Sequence, residues 1–157
     1  MGERSNKAKK FKNTFEISYE DFLKTRFHAF LGIIQKFIAE FGEERVIPLV
    51  SEYMAETAVN SIKEEVQKNP IRNFSQFKIM FMKMINSEFM KNTTTYKIVE
   101  DSEDEFKISY TKCLWAKIFE EFGFDREQGY DICCKADFVI ANTFHPKIKL
   151  SRTKTIM

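Results

Sequence analysis

Apolar residues recur every three or four positions from Leu23 through Phe27, Phe30, Ile34, Phe37 and Ile38 to Phe41. This is the period of an amphipathic helix, predicted over about 18–41, with Ser18 and Asp21 at its start and Gly42 stopping it. A second helix is expected over about 43–68, with Val46, Val50, Tyr53, Thr57 and Ala58 facing inward. Pro48 lies near its first turns, where proline costs least, and Asn69-Pro70 ends it. The third spans Phe74 to Met90, and its run Ile79 to Met82 is apolar on nearly all sides, which predicts burial against more than one neighbour. From Thr94 the period shortens to two: Tyr96 and Ile98, then Phe106, Ile108 and Tyr110, flank an acidic stretch and predict a β-hairpin with a solvated turn. Leu114, Ile118 and Phe122 mark a fourth helix ended by Gly123, and Gly129 to Thr143 a fifth. Ile148, Leu150, Arg152, Lys154 and Ile156 alternate as one face of a last strand, 147–156. The expected fold is α+β: an N-terminal three-helix layer packed with a small antiparallel sheet of three strands, two further helices lying between the second strand and the third.

Composition narrows the classes. The chain has 157 residues, enough for one core, and its 43% hydrophobic and 31% charged content is that of a globular protein. Seventeen Phe imply a core filled by aromatic volume rather than a cofactor box. The net charge of +2 hides an asymmetry: Arg4, Lys7, Lys9, Lys10 and Lys12 against Glu3 give the first 13 residues +4, leaving −2 for the rest. Residues 1–13 are therefore expected to be a disordered basic tail, and 14–157 a single α+β domain. No basic stripe with interleaved aromatics argues for nucleic acid, and no apolar run is long enough for a membrane span. Met1-Gly2 starts like a myristoylation signal, but Asn6 occupies the position that needs Ser or Thr. Three cysteines, two of them adjacent, make a poor disulfide framework. A cytoplasmic protein with reduced thiols is expected.

The candidate chemistry concentrates in the stretch from Tyr110 to Met157, which holds Cys113, Cys133, Cys134, the single Trp115 and His145. Cys113 falls where a strand turns into a helix, so the helix N-terminus would favour its thiolate. On a regular helix Asp137 would sit roughly 40° from Cys133 and 60° from Cys134, between the two thiols one turn on. A carboxylate there would raise the Cys134 thiol, and Arg152 is its available partner. Zinc ligand types are present in Cys113, Cys134, Asp137 and His145, but without CxxC or HExxH spacing, so no metal is assigned. The plain alternative is that all three cysteines are small core residues.

The segments YTKCLWAKIFEEFG and GYDICCKADFVIANTFHPKIKLSRTKTIM resemble the L-2-amino-thiazoline-4-carboxylic acid hydrolase-like family. The matching features are a cysteine ending a strand (Cys113), an amphipathic helix ending in glycine (Gly123), a Cys-x-x-Asp (Cys134, Asp137), a turn at His145-Pro146, and a basic run from Arg152 to Ile156. The family usually continues with a Gly-Asp turn and another strand, beyond Met157. An unpaired sheet edge is expected there, and with it a homodimer. The resemblance implies a hydrolase opening the ring of a cyclic amidine that carries a carboxylate, with no cofactor. Cys113, Cys134 and Asp137 are then catalytic candidates, and Arg152, His145 and Trp115 substrate-binding ones. Either cysteine could be the nucleophile, with Asp137 holding the amidine and Arg152 the carboxylate. The competing function is a non-catalytic small-molecule-binding or dimerisation module that lacks the family's terminal strand.

Overall fold

The computed structural model describes residues 17–156; the basic tail lies outside them. Helix α1 spans Tyr19–Phe41, capped by the Ser18 side chain, which accepts from the Asp21 N–H. Gly42, at φ 85°, ends α1 and starts α2, Glu43–Lys68. Leu23, Leu31 and Ile34 from α1 bury against Val46 and Ile47 from α2, and Phe27, Phe30, Val50 and Met54 fill in around them. The same cluster takes Ile118 and Phe119 from α5, Leu114–Glu121, with Phe124 and Ile132. This is the larger of two cores. The smaller joins Ile71, Ala141, Phe144 and Ile148 to Ile62, Val66, Phe74 and Phe77.

Two expectations about the third helix are corrected. It divides into α3, Phe74–Ile85, and α4, Glu88–Thr93. The cause is local: Asn86 caps the first piece, and the Ser87 hydroxyl accepts from the Met90 N–H to open the second. The apolar run is not buried all round. Met80 joins the smaller core and Phe81 meets the Phe106 ring, while Ile79 is 72% exposed.

The hairpin forms as its period predicts. Strands β1, Thr94–Asp101, and β2, Phe106–Cys113, pair antiparallel, with bulges between Thr95 and Tyr96 and between Ile98 and Glu100. The sheet has two strands among the described residues, so the expected third strand, 147–156, is a correction. His145 and Pro146 lead into a turn in which the Ile148 N–H donates to the His145 carbonyl at 2.9 Å. Ile148 then enters the smaller core and Leu150 turns outward. The alternating pattern is real in sequence, but its anchors reach helices rather than a sheet edge.

The predicted fifth helix is three pieces: α6, Arg126–Gly129, a π-helical turn at Tyr130–Cys134, and α7, Ala136–Phe144. An Asp125/Gln128 capping box opens the run. The architecture is α+β, and no helix among the described residues is long and apolar enough to cross a membrane.

Gly32, inside α1, and Gly42, at the α1–α2 corner, provide a paired test of backbone conformation. A Cβ on Gly32 would meet nothing within 4 Å, whereas Gly42 has a positive φ that other residues rarely adopt. Gly32→Ala should therefore raise the unfolding free energy by about 0.5–1 kcal/mol. Gly42→Ala should lower it by about 1 kcal/mol or more. Urea titration followed by circular dichroism reads both signs.

Candidate functional site

The π-helical turn is the centre of the site. The Lys135 N–H reaches back five residues to the Tyr130 carbonyl at 3.0 Å, the signature of a wide turn inserted into a helix. Helix α2 holds it at two points. The Ser51 hydroxyl of α2 donates to the Asp131 carbonyl at 2.6 Å. Gln128, just before the turn, donates to the Glu43 carboxylate at 2.7 Å. The regular 100° step assumed for Cys133, Cys134 and Asp137 therefore does not apply.

Arg152 closes the turn from the other side. Its Nη2 pairs with Asp137 Oδ2 at 2.5 Å, and its Nη1 donates to the Cys134 carbonyl at 3.2 Å. The guanidinium also lies 5.6 Å from the centre of the Phe138 ring and 6.0 Å from that of Tyr130, within the range of cation–π attraction. Beside the pair, Tyr110 on β2 is pushed up to about 12 by burial and then by the Asp137 charge.

The thiols reverse the order expected for them. Cys134 is held down to about 7: the Cys133 thiol hydrogen-bonds to it, outweighing its burial, and the Arg152 charge and the Thr155 hydroxyl add to the lowering. The Asp137 charge opposes this, as the sequence suggests, but does not decide it. Cys133 is pushed well up by that same hydrogen bond and by burial. The two adjacent thiols thus share their ionisation, and the Arg152 charge beside Cys134 favours the thiolate there. Cys113, at the junction of β2 and α5, is raised by burial. The N–H groups of Trp115 and Ala116 favour its thiolate without closing a capping hydrogen bond, and burial outweighs them. All three cysteines are free thiols.

A model of the L-2-amino-thiazoline-4-carboxylic acid hydrolase family matches residues 24–157. The chain belongs to that family. No curated protein and no solved structure matches it.

Of the candidate residues of this hydrolase-family chain, the structure brings Cys134, Asp137 and Arg152 together, with Cys113 near enough to feel the charges of Cys134 and Asp137. Cys113 also lines a surface groove of ≈ 970 Å³, which extends to Lys91, Lys112, Arg126 and Ile156. Trp115 and His145 are placed elsewhere. The Trp115 indole packs edge-on against Phe27 at 4.8 Å and Phe89 at 6.4 Å, as part of the larger core. His145 Nδ1 accepts from the Lys147 N–H at 3.2 Å, closing the turn after α7. Thr155, Tyr110 and Tyr130 are neighbours of the cluster that sequence reasoning missed, and Cys133, named there beside Cys134, was not among its candidates. Only Cys133 carried a local signal, through its adjacency to Cys134. Among the described residues, no cluster of three His, Cys, Asp or Glu could hold a metal ion.

The order of the thiols can be measured directly. Alkylation by iodoacetamide, mapped by mass spectrometry, should modify Cys134 first, with a rate that rises as pH passes through about 7. Cys113 and Cys133 should react only at higher pH. Arg152→Gln removes a charge that favours the thiolate, so it should shift the Cys134 profile to higher pH. Modification of Cys113 or Cys133 before Cys134 would contradict the assigned order.

Proposed function

We propose that this chain is a hydrolase that opens the ring of a small cyclic amidine bearing a carboxylate, of the 2-amino-thiazoline-4-carboxylate type, with Cys134 as nucleophile. The observation carrying this reading is that one guanidinium, Arg152, joins the Asp137 carboxylate to the Cys134 carbonyl, placing thiol, carboxylate and cation together; family membership supports the substrate class. The Cys134 sulfur would attack the amidine carbon, forming a C–S bond while the electron pair moves to nitrogen and is protonated. A ring bond to that carbon would then break, its heteroatom leaving with a proton and the carbon becoming trigonal again; water would add there, giving up a proton, and the Cys134 thiolate would leave as that adduct collapses. Asp137 is suited to hold the amidine and to accept a proton from that water, and Arg152 to hold the substrate carboxylate. The partners on this reading are a small-molecule carboxylate and a second copy of the chain, in a reducing cytoplasm that suits three free thiols.

A second reading has its own observation. Asp137 and Arg152 already satisfy each other at 2.5 Å, as a structural ion pair would in a non-catalytic ligand-binding module. With the two side chains 46% and 23% exposed, such a pair contributes only about 1 kcal/mol to stability.

Asp137→Asn separates the readings, because it keeps the shape and removes the charge. Hydrolysis of aminothiazoline carboxylate by the unmodified protein should fall at least about 100-fold in Asp137→Asn and in Cys134→Ser. Thermal unfolding of Asp137→Asn should change only slightly. No hydrolysis by the unmodified protein, or undiminished hydrolysis in Asp137→Asn, rejects the catalytic assignment. Lost stability with no effect on ligand binding identifies the structural pair.

A further inference from the structure

The outer corner of the α1–α2 hairpin exposes five large apolar side chains. Ile33 is 54% exposed, Phe37 50%, Phe41 50%, Leu49 66% and Tyr53 62%. Most of these side chains border one groove of ≈ 460 Å³, with Arg45 at its rim. The Phe37 and Phe41 rings lie 6.0 Å apart. Given the size of such side chains, the five leave roughly 500–600 Å² of apolar surface in water. That equals the largest patch of a typical monomer and supplies most of the ~800 Å² per partner of a standard interface.

The charges beside the patch are arranged for self-pairing. On α2, Arg45, Leu49, Glu52 and Glu56 fall within one narrow stripe at helical spacing. If two copies of α2 cross antiparallel near Leu49, Arg45 of each copy comes opposite Glu52 and Tyr53 of the other. A closed two-fold contact requires this reciprocity, in which residue i meets j and j meets i. The resulting unit is a four-helix arrangement built from two α1–α2 hairpins.

We propose that the face formed by Ile33, Phe37, Phe41, Leu49 and Tyr53 is the contact of a two-fold homodimer, with Arg45 of each protomer paired to Glu52 of the other. The contact lies on the helices, not on a sheet edge. It does not depend on the catalytic reading.

Light scattering and sedimentation of the full chain test it. The unmodified protein should be a dimer, and Leu49→Glu, at a position already 66% exposed, should be a folded monomer by circular dichroism. Arg45→Glu and Glu52→Lys should each weaken the dimer about tenfold or more, and the double variant should recover most of that loss. A monomer at every concentration overturns the proposal. So does a dimer that survives Leu49→Glu and is lost when β1 residues are changed. A monomer that dimerises only after removal of residues 1–16 also overturns it, because the tail would then be the occupant of the face.

Discussion

The geometry of the site depends on one wide helical turn. A π-turn such as Tyr130–Cys134 replaces regular four-residue bonds with a longer-range one, so it persists where surrounding contacts hold it. Here the contacts come from both sides. Ser51, fixed on the long helix α2, takes the Asp131 carbonyl, and Arg152, arriving from a segment without regular structure, takes the Cys134 carbonyl and the Asp137 carboxylate. A guanidinium can do this because its donors lie in a fixed fork and it carries its charge at all working pH values. Lysine, with a point charge on a flexible stem, would reach one of the two acceptors and leave the other.

The same arrangement accounts for the unequal thiols. Two adjacent cysteines on a regular helix would point about 100° apart and meet different neighbours. At the wide turn their thiols share a hydrogen bond, so the ionisation of one is supported by the proton of its neighbour. Cys113 has the helix N-terminus that theory favours, yet its burial wins. A helix of eight residues offers only a partial charge at its end, and desolvating a thiolate costs more than that returns.

What was legible in the sequence follows from the range over which each signal acts. The α1 and α2 boundaries, the Gly42 corner and the hairpin were readable because caps, a proline, a glycine and a two-residue period are local. The Asn86-Ser87 break was also local, but its two cap residues sit inside an unbroken apolar run that masks them. The last strand was misread because alternation records which side of an extended segment is apolar, not what that side meets. Ile148 and Arg152 do face protein, but the protein they face is α7 and the π-turn. Asp137 with Arg152 could be inferred as a pair, since a carboxylate among Phe138, Val139 and Ile140 needs a cation and one was available. Thr155 and Tyr110 could not, because only the tertiary arrangement brings them to Cys134 and Asp137.

Charge balance then limits what the cluster can accept. Arg152 supplies one positive charge, and Asp137 already uses it; ionised Cys134 adds a second negative charge nearby. With both anions present the group carries a net negative charge, which a cationic amidine would offset and a free carboxylate would worsen. A ligand bearing both groups therefore satisfies the site only if its amidine approaches Asp137 and the thiolate while its carboxylate takes over part of the guanidinium. The Arg152 fork permits that exchange without leaving the turn unheld, since Nη1 can stay on the Cys134 carbonyl while Nη2 changes partner. On the proposed reading, the clamp that holds the turn and the group that would receive the substrate carboxylate are two halves of one side chain.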